Sequence, residues 1–512
     1  MAPNPSSQPT APPAWRAPAH RLGRVIAVTL VLSQSLLLIS NATPLSVVEI
    51  GTNDFRISDM GANGYAWATA SNPAIAYNST NNEYLVVWQG DDVYDDRVEI
   101  LGQRIDAGTG AELGSDFRIS DMGANDTDAS FGAYNPAVAY SFTQNEYLVV
   151  WSGDDTTDGE YEIYGQRIDA ATGAEIGTND FRISDMGDTD GDTTFNATLP
   201  ALAYNSTDNE YLVVWQGDDT FPGDNDLEIF GQRIDATDGN ELGSDFRITD
   251  MGTADGNTYA AADPAVAYNP VNNEYLVVWD GDDDTGSLAD AEFEIYGQRL
   301  DATNCSEVGT NDFRISSVGT DGNRWVGAFD PAVIYNSLEH EYLVVWEGDT
   351  LDLTNDEFEI YGQRLDATNG TEIGADDFRI SDMGTADGDH DYDAKNASVT
   401  LNTTDNEYLV VWEGDDDTSS LNNNEFEIYG QRLDGATCTE LGDNDFRISD
   451  MGETDGDPAF EAHDPAVAYA DRVGQYLVVW KGSEYLTSPV VREFEIFGQR
   501  IMLPTLSFYV WD

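Results

Sequence analysis

Residues 341–346 read Glu-Tyr-Leu-Val-Val-Trp, and the last five of these residues recur six more times along the chain. Successive copies lie 63 to 68 residues apart, and Gly-Gln-Arg and Asp-Phe-Arg-Ile recur seven times in step with them. The copies end at Trp88, Trp151, Trp215, Trp279, Trp346, Trp412 and Trp480. A fixed internal period of this kind indicates a repeat architecture, so we expect one domain built from seven equivalent units.

Each unit contains four short stretches with the apolar and β-branched residues that are typical of strands. In the fifth unit we predict strands at residues 331–335, 341–346, 358–365 and 378–381. Turn-forming residues separate these stretches, and no window has a helical period. The pattern predicts an all-β fold, a single seven-bladed β-propeller of four-stranded blades. A β-solenoid is the alternative, although its repeats are usually shorter and it needs terminal caps.

The order of the motifs predicts how the ring closes. The chain begins with a lone Asp-Phe-Arg-Ile at residues 54–57 and ends on Gly498-Gln499-Arg500 without a following copy. We therefore expect the N-terminal strand to complete the last blade, which leaves no open sheet edge. In each unit the first strand is rich in alanine, and small side chains suit the narrow axis of a propeller.

The Tyr-Leu-Val-Val-Trp and Ile-Tyr-Gly-Gln-Arg-Leu-Asp-Ala motifs resemble the repeats of secreted bacterial β-propeller proteins. The resemblance covers about residues 50–501 and implies the propeller fold without implying an activity. A weaker similarity links the chain to the integrin-type calcium-binding propellers, whose Phe-Gly and Gly-Ala-Pro signatures are missing here.

The first 42 residues differ in composition from the rest. They contain Arg16, Arg21 and Arg24, no acidic residue and an apolar run at 25–39 that is followed by Ser40-Asn41-Ala42. This pattern predicts a secretory signal peptide at 1–42, a propeller at 43–503 and a C-terminal tail at 504–512. A retained membrane anchor is the alternative. We expect a secreted, extracellular protein, monomeric, with no membrane insertion after cleavage.

The chain is strongly acidic. Its 95 acidic and 23 basic residues give a formal charge of −72, and removal of the three signal arginines makes it −75. This charge excludes nucleic acid and anionic membranes as partners. Only two lysines occur, Lys395 and Lys481, and this scarcity also fits adaptation to high salt.

The connections between strands two and three, and from strand four to the next unit, are long and rich in aspartate. Strand alternation places all of them at one end of the ring. Carboxylates at alternate positions can converge on calcium, which takes six to eight oxygen ligands, so we expect a calcium-stabilised fold. A solvated acidic hairpin is the alternative. The candidate ligands are Asp387, Asp389, Asp391, Asp393, Asp188, Asp190, Asp192, Asp282 and Asp283.

An aromatic residue precedes the first strand of every unit at the same end of the ring. Three of these residues, Trp67, Trp325 and Tyr392, are candidates for a ligand-binding aromatic face. The alternative is that each ring anchors the connection between two blades.

Candidates for catalysis are few. We find no histidine cluster and no spacing typical of a nucleophile and its base. The sixth and seventh units depart most from the repeat, with Lys395, Asn396-Ala397-Ser398, Lys481 and Arg492. Our main interpretation is a binding or surface-interaction module for a glycan or a cell-surface protein, and whether the chain catalyses a reaction is left open. The alternatives are a polysaccharide-active enzyme, hydrolase or lyase, and a structural envelope component.

Overall fold

Antiparallel β-strands make up seven four-stranded sheets, and the 28 strands are numbered in chain order. The computed structural model describes residues 46–60, 69–91, 97–123, 131–154, 159–187, 193–218, 227–251, 260–282, 292–319, 326–349, 357–384, 392–415, 425–452, 460–484 and 493–503. None of the residues in these ranges is helical. The described part of the chain therefore contains no helix that could span a membrane.

The first four blades follow the chain from the innermost strand outward. Blade 1 contains β2 (Ala70–Asn78), β3 (Glu83–Gly90), β4 (Glu99–Asp106) and β5 (Phe117–Arg118). Blade 2 contains β6 (Ala133–Ser141), β7 (Glu146–Gly153), β8 (Glu162–Asp169) and β9 (Glu175–Arg182). Blade 3 contains β10 (Ala197–Asn205), β11 (Glu210–Gly217), β12 (Glu228–Asp235) and β13 (Phe246–Arg247). Blade 4 contains β14 (Ala260–Asn269), β15 (Glu274–Asp282), β16 (Phe293–Asp301) and β17 (Glu307–Arg314).

The remaining blades complete the ring. Blade 5 contains β18 (Gly327–Asn336), β19 (Glu341–Asp349), β20 (Glu359–Asp366) and β21 (Glu372–Arg379). Blade 6 contains β22 (Ala394–Asn402), β23 (Glu407–Asp415), β24 (Phe426–Asp434) and β25 (Glu440–Arg447). Blade 7 contains β26 (Ala462–Ala470), β27 (Gln475–Glu484), β28 (Glu493–Met502) and, as its outer strand, β1 (Val48–Arg56) from the start of the chain.

The prediction of a seven-bladed propeller closed by the N-terminal strand is confirmed. β1 pairs antiparallel with β28, with Phe55 opposite Gly498 and Arg56 opposite Phe497. The strand boundaries in blade 5 differ from the predicted ones. β18 starts at Gly327 because a bulge separates its first residues from the alternating pattern, and β21 starts at Glu372 because pairing with Leu365 continues past a second bulge.

The core lies between adjacent blades. All seven tryptophans of the repeat are fully buried, and each hydrophobic cluster joins side chains from two neighbouring blades. Trp88 Nε1, for example, donates to Met60 Sδ at 3.3 Å. Burial of this kind repeats at every interface, so the ring is stabilised by equivalent contacts around its whole circumference.

Most of the recurring arginines form ion pairs, as a buried or half-buried guanidinium requires, whereas Arg500 donates hydrogen bonds to Gln475 and to the carbonyl oxygen of Gly108. Arg364 of Gly-Gln-Arg binds Glu341 at 2.7 Å, whereas Arg379 of Phe-Arg-Ile binds Glu359. Glu359 also accepts hydrogen bonds from Ser381 and from the backbone N–H of Met383. These arginines therefore belong to the scaffold.

The two cysteines, Cys305 and Cys438, are buried free thiols. Burial raises the pKa of each thiol to about 12. Both occupy a turn position with positive φ, where glycine stands in other blades, for example Gly370.

Candidate active site

A cavity of about 360 Å³ lies on the propeller axis and is lined by all seven innermost strands. Each strand contributes two residues from a β-bulge near its first residue. This is the end of the ring at which the innermost strand begins and the second strand ends, and it is the end at which the sequence predicts the long acidic connections. The size suits a ligand pocket, which typically measures 300–1,000 Å³.

The first residue of each bulge, here called the bulge residue, adopts the left-handed conformation with φ between 47° and 54°. Asparagine and aspartate tolerate this region better than other non-glycine residues, and they occupy six of the seven positions. In six blades the residue after the bulge residue is proline, because the bulge places the backbone nitrogen of that residue outside the hydrogen-bond ladder of the strands. The bulge residues are Asn72, Asn135, Leu199, Asp263, Asp330, Asn396 and Asp464.

The residue after each repeat tryptophan, here called the post-tryptophan residue, joins one blade to the next. Gln89 Oε1 accepts the backbone N–H of Asn135 at 2.7 Å, and Gln216 Oε1 accepts that of Asp263 at 3.0 Å. The same bond recurs from Leu199 to Ser152 at 3.1 Å, from Asn396 to Glu347 at 2.9 Å and from Asp464 to Glu413 at 2.8 Å. The seven post-tryptophan residues are Gln89, Ser152, Gln216, Asp280, Glu347, Glu413 and Lys481.

Neither the hydrogen bond between blades nor the positive φ of the bulge requires a charged side chain. Glutamine accepts the hydrogen bond after the tryptophan in blades 1 and 3, and asparagine adopts the positive φ of the bulge residue in blades 1, 2 and 6. Nevertheless, blades 4 to 7 carry six carboxyl groups at these positions, whereas blades 1 to 3 carry none. We call this set the acidic cluster: Asp263, Asp280, Asp330, Glu347, Glu413 and Asp464. It breaks the symmetry of the ring.

Basic groups stand beside the cluster on blades 6 and 7. Lys395 Nζ pairs with Asp393 at 2.8 Å and lies 4.6 Å from the ring centroid of Phe358. Lys481 Nζ lies 3.7 Å from Asp464 and 5.1 Å from the ring centroid of Phe494. Both lysines of the whole chain are therefore next to residues that line the axial cavity: Lys395 precedes Asn396, and Lys481 contacts Asp464.

His463 forms a second charged contact in the same sector. Its Nδ1 lies 3.5 Å from Glu413 and its Nε2 lies 3.6 Å from Glu461. Burial acts to lower the pKa of His463, but the two glutamates raise it to about 9, so the imidazole is protonated at neutral pH. Burial likewise acts to raise the pKa of Glu413, but His463 and the N–H of Asp464 hold it below its usual value.

In blade 5, two neighbouring carboxyl groups, those of Glu347 and Asp330, have different pKa values. Burial, together with the charge of Asp330, raises the pKa of Glu347 to about 8, although the N–H of Asn396 and the charge of Lys395 act in the opposite direction. Burial and the charges of Asp263 and Glu413 raise the pKa of Asp330 to about 6. The pKa of Glu347 is therefore above neutral pH, whereas that of Asp330 is below it. Such a pair is suited to general acid–base chemistry.

Most of the predicted calcium ligands lie outside the described residues: Asp387, Asp389, Asp391, Asp188, Asp190, Asp192 and Asp283. Asp393 accepts the N–H of Phe358 at 3.0 Å as well as the Lys395 ammonium, and Asp282 is buried in blade 4. The structure does not bring these two aspartates together. Within the described ranges, no three or more histidine, cysteine, aspartate or glutamate side chains are arranged to hold a metal ion.

Two of the three predicted ligand-binding aromatics, Trp67 and Trp325, also lie outside the described residues. Tyr392 packs against the hydrophobic cluster between blades 5 and 6, and its ring covers Gly384, where an added Cβ would lie 2.5 Å from Tyr392 Cγ. In this position Tyr392 holds the connection between two blades.

In the sequence, Lys395, Lys481 and the Asn396 substitution stand out as departures from the repeat, whereas the acidic cluster does not. The cluster has no motif of its own. It becomes visible only when the seven repeats are aligned and one position, the residue after the tryptophan, is compared: this residue is Gln, Ser and Gln in blades 1 to 3 and Asp, Glu, Glu and Lys in blades 4 to 7. Only the cross-blade hydrogen bonds reveal that neutral residues suffice at this position.

No protein-family model and no curated protein matches the chain. Among solved structures, the chain is similar to the α-L-arabinofuranosidase Arb93A from Fusarium graminearum, with 12% identity and a TM-score of 0.40 over 90% of this chain and 99% of that one. It is also similar to an α-L-arabinanase from Penicillium chrysogenum, with 13% identity and a TM-score of 0.41 over 90% and 98%. An endo-arabinase from Bacteroides thetaiotaomicron VPI-5482 has 11% identity and a TM-score of 0.36 over 64% and 100%.

These similar structures are named as an α-L-arabinofuranosidase, an α-L-arabinanase and an endo-arabinase, whereas our main interpretation was a binding or surface-interaction module. We set that interpretation aside and take up its alternative, a polysaccharide-active enzyme, as a proposal. At these identities and TM-scores the likeness itself extends to the fold alone. The chemistry of the axial cavity has to be argued from its own residues.

Proposed function

We propose that the chain is a polysaccharide-directed glycoside hydrolase whose active site is the axial cavity. One observation carries the proposal: in blade 5 the buried carboxyl group of Glu347 is a neighbour of Asp330, which lines the cavity, and the pKa of Glu347, about 8, is above that of Asp330, about 6. Glycoside hydrolysis needs this combination, an acid for the leaving oxygen and a carboxylate that serves the anomeric carbon or the attacking water.

The two residues have distinct environments. Asp330 lines the cavity and is half-buried, so its carboxylate is accessible to a bound sugar. Glu347 is 7% exposed; its Oε2 accepts the N–H of Asn396, and Oε1 makes no hydrogen bond within the described part of the chain. Oε1 is therefore the atom that would carry and donate the proton.

The neighbouring groups keep this pair in its working state. The charge of Asp330 raises the pKa of Glu347, which keeps Glu347 protonated until the glycosidic oxygen takes the proton. In blades 6 and 7, Glu413 forms an ion pair with His463 and Asp464 forms one with Lys481, so a basic side chain of the protein neutralises each of these two carboxylates. Asp330 and Glu347 are then available to the substrate.

The proposal is tested by measuring the release of reducing ends from a panel of purified polysaccharides. The panel includes arabinan, because the similar structures are named as arabinan-degrading enzymes. We expect the wild-type chain to cleave at least one polymer and the Asp330→Asn/Glu347→Gln variant to lose at least about 100-fold in rate. No cleavage of any polymer, or equal cleavage by the variant, would contradict the proposal.

We further propose that the protein is secreted and that calcium stabilises it through the acidic connections. A ligand that binds only the folded state raises the melting temperature, by RT ln(1 + [L]/Kd) in free energy. The melting temperature in millimolar calcium is therefore expected to exceed that in EDTA, measured by differential scanning calorimetry. Magnesium at the same concentration is the control for ionic strength, and identical curves in calcium and EDTA would exclude a stabilising calcium ion.

A further inference from the structure

Blade 4 carries a second pair of carboxyl groups next to the proposed catalytic pair. Asp263 is the bulge residue and lines the axial cavity, and Asp280 follows the repeat tryptophan. Asp280 is 3% exposed, and its Oδ1 is buried without a hydrogen-bond partner among the described residues. A buried carboxyl group in this state is costly unless a donor or a cation reaches it.

The described part of the chain supplies no cation to this pair. The basic groups near the acidic cluster are on blades 6 and 7, where Lys395 binds Asp393, Lys481 binds Asp464, and His463 lies between two glutamates. Around Asp280 the neighbouring charged side chains include Asp263, Asp330 and Glu347, all of them acidic.

The geometry favours an organic cation over a metal ion. A calcium ion needs six to eight oxygen ligands at short distance, and the described residues contain no group of three or more acidic or histidine side chains so arranged. An ammonium group has smaller demands, because its N–H groups donate directional hydrogen bonds to one or two carboxylates.

Resting on the proposed function, we propose that Asp263 and Asp280 form a subsite for the ammonium group of an amino sugar. The substrate class of the hydrolase is then a hexosamine polysaccharide with free amino groups. The charge of the whole chain agrees with this substrate. A formal charge of −72 attracts a polycation and repels a polyanion, and this attraction weakens as salt is added.

The test compares glucosamine oligomers with N-acetylglucosamine oligomers of the same length by isothermal titration calorimetry. The measurements are made at a pH at which the free amine is protonated. We expect the wild-type chain to bind the free-amine oligomers about 10- to 100-fold more tightly, the range expected for hydrogen bonds to a charged group. Asp280→Asn should remove most of that preference, whereas Glu307→Gln, which removes one exposed charge from β17 of the same blade, should retain it.

Two outcomes would overturn the subsite: equal affinity for both oligomers, or an unchanged preference in Asp280→Asn. A calcium-dependent rise in melting temperature that Asp280→Asn abolishes would also overturn it, because the pair would then hold a metal ion. The binding measurement tests the subsite and the cleavage measurement tests the hydrolase, so the two proposals can fail independently. Cleavage of neutral polymers without a preference for amines contradicts only the subsite, whereas amine-dependent binding without cleavage contradicts only the hydrolase.

Discussion

Glu347→Gln is expected to lower kcat on the cleaved polysaccharide by about 10²- to 10⁴-fold, the usual contribution of a general acid. Glutamine cannot donate a proton to the leaving oxygen, but its side-chain carbonyl can accept the N–H of Asn396 as the glutamate does. Gln89 and Gln216 form this same bond in blades 1 and 3, so the melting temperature should be unchanged. The measurement is a kcat and KM determination together with a thermal melt.

The control is Ser152→Ala at the equivalent position of blade 2, which removes the hydrogen bond to Leu199 but no acid. It should keep wild-type kcat. A Glu347→Gln enzyme with wild-type kcat, or a Ser152→Ala enzyme as slow as Glu347→Gln, would show that this position contributes only a structural hydrogen bond.

The same pair of residues predicts how activity depends on pH: activity should fall both at low and at high pH. Activity requires Asp330 to be ionised, which is lost as the pH falls through about 6, and Glu347 to be protonated, which is lost as the pH rises through about 8. The profile of kcat/KM should therefore be bell-shaped, with a maximum between these values. Glu347→Gln should lose the alkaline limb while its acid limb remains.

The fold could be predicted from the sequence because every level of the repeat agrees. The period gave the number of blades, the four apolar stretches gave the strands, and the lone copy of Asp-Phe-Arg-Ile at 54–57 gave the closure. The strand ends were less predictable. The bulge at Asp330 disturbs the alternation of side chains, so the first four residues of β18 fell outside the predicted strand.

The candidate site could be predicted only in part, and the reason is physical. An aspartate before proline has an ordinary explanation, because this residue type tolerates positive φ. Its second property, a carboxyl group on the axis, depends on which strand is innermost and where the bulge lies. The two lysines were conspicuous in the sequence because they are the only ones, and both proved to flank the axial cavity.

Removal of the N-terminal strand is expected to have the largest effect on stability. A chain that starts at residue 61 instead of residue 43 lacks β1, so β28 loses its pairing partner and becomes an open edge. Glu495 is fully buried, and the truncation removes its ion pair with Arg56 and the hydrogen bonds that it accepts from Ser58 and from the N–H of Met60. Leaving one partner of a buried pair uncompensated costs about 3–5 kcal/mol, so the free energy of unfolding should fall by at least this amount.

A circular permutant distinguishes loss of the strand from a general effect of truncation. Val48 lies opposite Met502, so residues 46–60 can be attached after Leu503 through a short turn. The blade then has the connectivity of the others, in which the outer strand follows the third, as β21 follows β20 in blade 5. The permutant should recover the wild-type denaturation midpoint in guanidinium chloride, whereas a scrambled segment at the same place should not. A truncated chain as stable as the wild type would mean that β1 does not close the ring in solution, and failure of the permutant alone would locate the stabilisation outside the β1–β28 pairing.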